Sequence, residues 1–390
     1  MYWELYRPDA VVVWESPVVR ERLRWYYSVM RGSAPAKFHI AARMEAPPDY
    51  ASMGDEELWR LHERLGEVFD DEWRRQKEKP DISLVKKELP RASFLDVKIE
   101  LGRRQLRRCM LCERRCGVDR TTRRGACLLD HKPRVASFFH HLGEEAPLVP
   151  SGTVFFSGCN FRCVYCQNWD ISQHPEAGVE TTSQALAAIQ IRLREEGARN
   201  INWVGGEPTP NIPHILESLK ILAARGVNVP QLWNSNMYLT PEGLSLILHV
   251  IDIWLPDFKY GNDKCALKYS VAPRYWEVTT RNFSVICSRG EDIIVRHLVL
   301  PGHVECCTKP VLRWLAENCR HVLVNVMDQY RPDHLVPKMD RYREIRRRVS
   351  EGEMEEAYRY ADELGLAWRE VTNGPPPRPK GRGFRLFVII

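Results

Sequence analysis

The chain has 390 residues, of which 44% are hydrophobic and 28% are charged, and it carries a formal net charge of +6. This composition is typical of a folded, soluble protein, and the length predicts two or three domains at roughly 100–200 residues each. A mean hydropathy of -0.40 and the lack of an apolar run near the roughly 18–20 residues of a membrane helix exclude a transmembrane protein. The start of the chain lacks the layout of a signal peptide, so we expect a cytoplasmic protein whose twelve cysteines are reduced and serve as metal ligands or catalytic thiols.

The first region, residues 1–98, contains no cysteine and is predicted to be a helical amino-terminal extension. Residues 55–66 have apolar side chains at helical spacing, which predicts an amphipathic helix that Gly66 interrupts. No residue of this region carries recognisable chemistry. We therefore interpret it as a helical cap on the part of the chain that follows.

From residue 151 onward the pattern alternates between short apolar runs and longer helical stretches. The predicted strands are residues 153–157, 200–204, 231–234, 251–255, 293–300 and 321–327, and the helices between several of them are residues 183–196, 211–225 and 309–318. Six strands with intervening helices predict an α/β fold in which a parallel sheet curls into a partial (β/α)6 barrel over residues 151–335. In such barrels the polar residues that follow the carboxyl ends of the strands form the site.

Two further segments complete the predicted organisation. Residues 99–150 contain four cysteines and form a metal-binding segment, and residues 336–390 form a helical carboxyl-terminal segment with a charged stretch at 341–366. Its last part, residues 373–390, is a basic tail without acidic residues that contains Arg378, Lys380, Arg382 and Arg385.

The strongest chemical signal is the group of three cysteines, Cys159, Cys163 and Cys166, directly after the first predicted strand of the barrel. A loop this short can bring three thiolates onto three irons of a [4Fe–4S] cube, and because no fourth cysteine is near, one iron stays open to a non-protein ligand. The alternatives are a zinc site or three unrelated buried thiols. Structural zinc sites have four protein ligands, often in paired short-spaced knuckles, so the pattern favours the cluster.

The spacing Cys-x3-Cys-x2-Cys, with the aromatic Tyr165 before the last cysteine, resembles the radical S-adenosylmethionine (SAM) enzymes. The resemblance implies that the amino and carboxylate groups of SAM bind the open iron. An electron from the reduced cluster then cleaves SAM to methionine and a 5′-deoxyadenosyl radical, which abstracts hydrogen from a substrate. The resemblance further implies an oxygen-sensitive enzyme with an electron donor of the flavodoxin or ferredoxin type.

Polar residues at successive strand ends extend this resemblance to the SAM site. Glycines before Glu207 let the backbone approach a ligand closely, and Glu207 can pair with the methionine ammonium. Each residue also has a structural interpretation, for example a helix cap for Asn234 or an ion pair between Asp257 and Lys259. The predicted SAM-binding residues are Tyr165, Gly205, Gly206, Glu207, Asn234, Asn236, Asp257, Lys259 and Arg296.

Within that superfamily the chain resembles the enzymes that activate pyruvate formate-lyase, and most closely their PflX-type iron–sulfur homologues. The segments that carry this resemblance are residues 109–118, 233–238, 255–261, 296–303 and 325–332, and the match covers about residues 99–335. The last strand departs from the lyase activases, because it ends in Met327-Asp328-Gln329-Tyr330-Arg331-Pro332 instead of Pro-Tyr-His. The resemblance therefore does not extend to their protein partner.

A second set of four cysteines lies upstream, with the spacing Cys109-x2-Cys112-x3-Cys116-x10-Cys127. Four thiols can close either an auxiliary iron–sulfur cluster or a structural zinc site. Zinc sites more often show two short knuckles, whereas only one Cys-x2-Cys is present here, and both metals stay open. Either metal would contribute folding energy to this segment.

Positive charge is concentrated around this second set. In residues 99–135, eleven Lys and Arg outnumber four Asp and Glu, a surplus of seven. Such a block is typical of a nucleic-acid face, but it equally balances an anionic cluster or covers the surface of a hyperthermophilic protein. The charge alone does not separate these interpretations.

Three further residues after the fifth strand, His303, Cys306 and Cys307, form a possible constellation at the barrel mouth. In a catalytic role, one thiol would donate hydrogen to a radical or ligate a metal. The favoured alternative is a turn with two half-buried thiols, since cysteine is often buried as a small hydrophobe. Core packing is also expected for Cys265, Cys287, Cys319 and His297, and His140-His141 are expected in a surface loop or at a binding lip.

Three functions follow from these patterns. We expect a radical SAM enzyme that acts directly on a small molecule, a lipid or RNA, because a long amino-terminal region and a second metal site exceed what a minimal activase needs. The first alternative is an activase that generates a glycyl radical on a partner protein. The second is an iron–sulfur electron carrier without catalytic activity.

Overall fold

The computed structural model describes residues 3–372, so the predicted basic tail lies outside the described residues. Seven helices, with short 3-10 turns between them, form the amino-terminal region. Their bounds are α1 Trp3–Tyr6, α2 Asp9–Val12, α3 Pro17–Arg22, α4 Arg24–Met30, α5 Lys37–Arg43, α6 Asp55–Glu78 and α7 Phe94–Arg107. The prediction that Gly66 interrupts the amphipathic helix is wrong. Gly66 lies buried inside α6, where the ring of His249 leaves little room for a side chain.

The remaining elements alternate between strands and helices. In chain order they are β1 Arg134–His141, β2 Ser151–Phe156, α8 Trp169–Ser172, β3 Val179–Glu180, α9 Ser183–Glu195, β4 Asn200–Gly205, α10 Ile212–Ala224 and β5 Gln231–Ser235. They continue with α11 Pro241–Leu248, β6 Ile253–Pro256, α12 Asp263–Ser270, α13 Tyr275–Ser288, β7 Ile294–Leu298, α14 Lys309–Asn318, β8 Leu323–Met327 and α15 Glu351–Glu363. Every predicted barrel strand and helix is present, with bounds shifted by a few residues.

The strands form the predicted partial barrel. Parallel pairing runs from β2 through β4 and β5 to β6, and β7 pairs in parallel with β8. Parallel bridges from Trp254 to Ile293 and from Asp257 to Arg296 connect these two groups into one sheet of six parallel strands. The strands β1 and β3, which the sequence did not predict, add an antiparallel edge next to β2. His140 and His141 therefore lie on β1 and not in a loop.

Side chains alternate between the two faces of the sheet. Trp203, Trp233 and Trp254 occupy paired positions on β4, β5 and β6, and all three are fully buried. The opposite face lines the barrel interior, where Leu232, Ile253, Ile294 and Leu323 form a separate apolar cluster with Trp14, Tyr26 and Leu148. These apolar residues lie near the amino-terminal ends of the strands, so the interior becomes polar only toward the carboxyl ends.

The amino-terminal helices close the end of the barrel that lies opposite the predicted site. Trp25 donates a hydrogen bond of 2.9 Å to Asp252, which precedes β6, and the backbone nitrogen of Tyr26 donates one of 2.8 Å to Asp292, which precedes β7. Lys37 forms a fully buried ion pair with Glu291. The amino-terminal region therefore lies away from the barrel mouth.

The stretch that follows β8, residues 328–335, instead reaches the mouth. The backbone nitrogen of Leu335 donates a hydrogen bond of 2.9 Å to Val164, between two of the predicted cluster cysteines. The ring of Tyr330 packs edge-on against Tyr165, with 5.6 Å between the ring centroids. Within residues 3–372, every helix is too short or too polar to span a membrane.

Candidate functional site

The loop with the three cysteines leaves the carboxyl end of β2, where the barrel geometry places a site. It turns at Gly158, whose φ of +81° favours glycine. A Cβ atom at Gly158 would lie 2.7 Å from the Cγ atom of Leu129 and 2.9 Å from the carbonyl oxygen of Cys127. The loop therefore packs directly against the end of the upstream four-cysteine segment.

Each thiol of the triplet has a polar neighbour. The backbone nitrogen of Phe161 donates to the Sγ atom of Cys159 at 3.3 Å, and the hydroxyl groups of Ser270 and Ser172 lie 2.9 and 3.4 Å from the Sγ atoms of Cys163 and Cys166. Burial raises the pKa of all three thiols, and that of Cys163 to about 11. Coordination of iron would remove these protons, because a metal-bound thiol is deprotonated.

The end of β4 lies against this loop and has no room for side chains. A Cβ atom at Gly205 would lie 2.2 Å from backbone atoms of Phe156, and one at Gly206 would lie 2.1 Å from the carbonyl oxygen of Gly158. Gly205 also has a φ of +113°. Both glycines are thus required for the close approach between the second strand of the barrel and the cysteine loop.

Glu207 follows this contact and is almost fully buried. Its carboxylate accepts hydrogen bonds of 2.6 Å from Thr209 and Ser235 and one of 3.1 Å from the backbone nitrogen of Asn236. Burial raises the pKa of Glu207 even against these hydrogen bonds. A cationic ligand would stabilise the buried carboxylate, which fits the predicted contact with an ammonium group.

Two asparagines connect the cysteine loop with the end of β5. Asn236 donates a hydrogen bond of 2.7 Å to the side-chain oxygen of Asn160. Among residues 3–372, the side-chain nitrogen atoms of Asn160 and Asn234 are buried without a hydrogen-bond partner. Buried polar atoms are rarely left unpaired, so these donors fit a polar ligand above the strand ends.

The end of β6 carries an ion pair and is linked to a chain of hydroxyl groups. Lys259 contacts Asp257 at 2.7 Å. The hydroxyl groups of Tyr165 and Tyr260 lie 2.6 Å apart, and that of Tyr260 lies 2.6 Å from Ser270, the residue beside Cys163. Asp257, Lys259 and Tyr165 are thereby brought to the same side of the cysteine loop.

Arg296 occupies a different place from the other predicted SAM contacts. Its side chain points into the barrel, where it forms ion pairs with the buried carboxylates of Glu144 and Glu145. Burial would raise the pKa of Glu145, but the adjacent Arg296 outweighs this effect and lowers it. A role for Arg296 in binding SAM stays a prediction, since these two carboxylates already pair with its guanidinium.

The upstream cysteines meet at one place. Cys109, Cys112, Cys116 and Cys127 line one small cleft, together with Arg120. Arg120 is fully buried and donates hydrogen bonds to the backbone carbonyl oxygens of Asp130 and Pro210. In residues 3–372 no carboxylate lies within 4.0 Å of its guanidinium. A buried, unpaired cation beside four thiols suits an anionic metal–thiolate group.

Two arginines connect the two cysteine sites. Arg162 donates hydrogen bonds of 2.6 Å to the carbonyl oxygen of Cys159 and 2.7 Å to that of Ala126. Arg114 donates one of 2.7 Å to the carbonyl oxygen of Asn160. The four-cysteine segment is therefore held against the three-cysteine loop at the edge of the barrel mouth.

Cys265, Cys287 and Cys319 are buried in the hydrophobic core, as predicted, but each of them also lies close to another cysteine. Cys287 and Cys319 form a disulfide with 5.5 Å between their Cα atoms, so the prediction that all cysteines are reduced is wrong for this pair. Cys265 lies close to His303 and Cys306 instead of packing alone. Cys306 is exposed, and Cys307 is buried with its Sγ atom 3.9 Å from that of Cys306.

His297 behaves as the sequence predicted. It is buried, and its ring nitrogens lie 2.7 Å from the carbonyl oxygen of Phe258 and 2.9 Å from the hydroxyl group of Thr308. Both ring nitrogens thus have partners within the fold. His297 is a structural residue of the barrel wall.

A family comparison identifies the barrel. The model of the Radical SAM superfamily matches residues 153–315, which run from β2 into α14. The chain belongs to this superfamily. Members of the radical SAM superfamily carry a [4Fe–4S] cluster and bind SAM, and the chain offers the three thiols, the glycine contact and the buried carboxylate that such a site needs. The finer PflX-type assignment stays a prediction.

Two curated proteins of Methanocaldococcus jannaschii are similar to the chain. The uncharacterized protein MJ0674 is 39% identical over 351 residues, which cover 88% of this chain and 98% of that protein. The uncharacterized protein MJ0808 is 30% identical over 123 residues, or 26% of this chain and 35% of that protein. A match over 88% of the chain spans both cysteine sets wherever it begins.

The similarities to solved structures are weaker. Streptococcus suis SuiB bound to S-adenosylmethionine has 10% identity and a TM-score of 0.40, and the match covers 55% of this chain and 48% of SuiB. A domain of pyruvate-formate lyase-activating enzyme from Bacteroides vulgatus has 17% identity and a TM-score of 0.36, and the match covers 45% of this chain and 99% of that domain. The chain thus spans less than half of SuiB.

Several residues at the site were not predicted from the sequence. Ser172 and Ser270 contact cluster cysteines, Asn160 lies between the cysteine loop and β5, and Arg162 joins the two cysteine sites. Asn160 and Arg162 lie inside the cysteine motif, so their position in the sequence could have identified them as residues of the site. Ser270 is more than a hundred residues away from Cys163, and only the packing of α12 brings it there.

Proposed function

We propose that the protein is a radical SAM enzyme in which Cys159, Cys163 and Cys166 hold a [4Fe–4S] cluster that binds SAM. The observation that carries this proposal is the position of three thiols at the carboxyl end of β2, directly against Gly206 and Glu207. When bound, the cluster and SAM supply a 5′-deoxyadenosyl radical that removes hydrogen from a substrate. The residues around them bind, orient and shield these groups.

The chain's own residues have separate tasks in this proposal. Glu207 pairs with the ammonium group of SAM, and the unpartnered nitrogen of Asn234 donates to a polar atom of the ligand. Gly205 and Gly206 let the end of β4 pack against the cysteine loop, which holds Glu207 next to the three thiols. Tyr330, which follows β8, packs against Tyr165 of the loop and limits the access of water from that side.

The upstream site is proposed to hold an iron–sulfur cluster in preference to zinc. With Zn–S bonds of about 2.3 Å, tetrahedral geometry places the ligand sulfurs about 3.8 Å apart. Across residues 3–372, three metal-ligating atoms lie within 4.8 Å of one another only at Cys265, His303 and Cys306. The sulfurs of the upstream set are therefore spread more widely than zinc requires, as a larger cluster needs.

We propose that the substrate enters the mouth directly, in preference to a glycyl-radical partner protein. The upstream four-cysteine segment and the segment around Leu335 flank the mouth on two sides. Hydrogen abstraction by itself does not require the four-cysteine segment. RNA is the less supported substrate, since many basic residues of 99–135 already have acidic partners. These pairs include Arg103 with Glu217, Arg104 with Glu100, and both Lys132 and Arg134 with Glu180.

The test is anaerobic reduction of the iron-loaded protein with SAM, followed by chromatographic detection of 5′-deoxyadenosine. The wild-type protein should release 5′-deoxyadenosine, and Cys163→Ala should lose both this product and the iron of the first cluster. A Cys163→Ala protein that still forms the product contradicts the cluster assignment. A glycyl-radical signal in a co-incubated protein, seen by electron paramagnetic resonance, would support the activase alternative instead.

An electron carrier without catalytic activity is the remaining alternative. Such a protein would bind iron and change its absorption on reduction, but it would form no 5′-deoxyadenosine. Reduction by flavodoxin or ferredoxin, compared with dithionite, tests the proposed class of electron donor in the same assay.

A further inference from the structure

A third group of metal-ligating side chains lies outside both predicted clusters. It combines Cys265, in the first turns of α12, with His303 and Cys306, in the π-helical turn Val304–Thr308 and the residue before it. One ligand atom from each of the three lies within 4.8 Å of the other two. This spacing is compatible with tetrahedral coordination of a single ion, where ligand atoms are about 3–4 Å apart.

His303 is oriented as metal-ligating histidines are. Its Nδ1 atom lies 2.8 Å from the carbonyl oxygen of Pro301, and a hydrogen donated there leaves Nε2 with a free lone pair. The hydroxyl group of Tyr269 lies 3.0 Å from Nε2, but it also donates to Glu344 at 2.6 Å. With its hydrogen on Glu344, Tyr269 gives Nε2 no hydrogen-bond donor, so the lone pair is left for a cation.

The two chain segments of this group are fixed against each other without a metal. Asn262 accepts a hydrogen bond of 2.8 Å from the backbone nitrogen of Cys265 and donates one of 2.7 Å to the carbonyl oxygen of Cys306. A Cβ atom at Gly261 would lie 2.8 Å from the carbonyl oxygens of Cys306 and Cys307. This close backbone contact, together with Asn262, positions the ligand atoms before any ion binds.

We propose that Cys265, His303 and Cys306 bind one Zn²⁺ ion at the rim of the barrel mouth. Two thiolates and one imidazole form a donor set that suits Zn²⁺, and a three-ligand site keeps one position open. Binding releases the two thiol protons to solvent and changes no oxidation state. Because Cys306 is exposed, the open position faces solvent, where water or a Lewis-basic group of a substrate can occupy it.

The proposed zinc site is close to the catalytic loop. Cys265 and Ser270 lie five residues apart on α12, which corresponds to about 7.5 Å along a helix axis. Ser270 contacts the Sγ atom of Cys163 at 2.9 Å. A ligand of the zinc ion would therefore be held on the same side of the barrel as the cluster.

The test measures zinc and iron per chain in the anaerobically purified full-length protein by mass spectrometry of the elements. The variants are Cys306→Ser and Cys265→Ser, and the matched control is Glu305→Gln in the same turn, where the side chain is 73% exposed. We expect both cysteine variants to hold about one zinc ion fewer than the wild-type protein, with unchanged iron. The control should keep the zinc ion. The comparison uses the difference in zinc content between the proteins, because any zinc at the upstream cysteines would be present in the wild-type protein, both cysteine variants and the control alike.

Equal zinc contents in the wild-type protein and both cysteine variants would overturn the proposal, and so would a loss of iron in place of zinc. Cys306 is exposed, so Cys306→Ser should fold normally, and its circular dichroism checks this. Formation of 5′-deoxyadenosine in the same preparations separates the two proposals. A protein that cleaves SAM but has no Cys306-dependent zinc refutes only the zinc site, and one that binds this zinc but cleaves no SAM refutes only the radical SAM function.

Discussion

The contact between Gly206 and the cysteine loop gives the sharpest test of the site geometry. In Gly206→Ala, the new Cβ atom would lie 2.1 Å from the carbonyl oxygen of Gly158, whereas real Cβ contacts stay above 3.0 Å. The strand end and the loop must therefore separate by about 1 Å. Both contacting groups are backbone, so no flexible side chain can absorb the shift.

The expected effects follow from this displacement. Overpacking of a rigid contact costs roughly 1–3 kcal/mol of unfolding free energy. A shift of about 1 Å in a catalytic group lowers rates by about 100-fold. Since Gly158 directly precedes Cys159, we expect Gly206→Ala to reduce the rate of 5′-deoxyadenosine formation by about this factor and to lower the urea midpoint of unfolding.

The assay compares three proteins reconstituted with iron and sulfide under anaerobic conditions. The matched control is Gly352→Ala in α15, where a Cβ atom would meet nothing within 4 Å. Alanine is the better helix former, so this control should gain up to about 1 kcal/mol of stability and keep the wild-type rate. A Gly206→Ala protein with the rate and urea midpoint of the wild-type protein would refute the close packing of β4 against the cysteine loop.

Three more predictions address individual contacts. Ser270→Ala removes the hydroxyl group 2.9 Å from Cys163 and should make the reduction potential of the first cluster more negative, which a redox titration followed by electron paramagnetic resonance measures. An unchanged potential would show that this contact is not made in the loaded protein. Cys112→Ala should lose about four iron atoms yet still form 5′-deoxyadenosine, and a complete loss of product would place the upstream site within SAM cleavage. Burial raises the pKa of Asp292 from 3.8 to about 7, so the folded state retains a proton that the unfolded state releases, and stability falls as the pH rises through this window. In Asp292→Asn the free energy of unfolding should lose a pH dependence of up to about 1.4 kcal/mol per pH unit, measured by urea unfolding at pH 5 and pH 7. A variant whose free energy of unfolding falls as much between these pH values as that of the wild-type protein would contradict the assignment.

The buried charges of the barrel explain why the interior is divided into two zones. Arg296, Glu144 and Glu145 form a closed ion-pair group inside the barrel, and Asn325 donates a hydrogen bond of 2.7 Å to Glu145. Removal of one member leaves an uncompensated buried charge, which costs roughly 3–5 kcal/mol. Substitution of Arg296 would therefore lower the stability of the fold, and this effect would mask any effect on SAM binding.

Periodicity and motif spacing in the sequence predicted the α/β barrel and the place of the three-cysteine loop. Strand and helix periodicities are local, and they predicted all six barrel strands, although the edge strands β1 and β3 were missed because they lack a clear apolar alternation. The spacing of Cys159, Cys163 and Cys166 is likewise local, since a loop of eight residues fixes how far apart its thiols can lie.

The tertiary structure decided the contacts between distant parts of the chain. It brought Cys265 to His303 and Cys306, placed the amino-terminal helices at the end of the barrel away from the mouth, and gave Arg296 two buried carboxylates as partners. Such contacts depend on where whole helices and strands pack, and a residue's own neighbours in the sequence carry no information about a partner tens or hundreds of residues away.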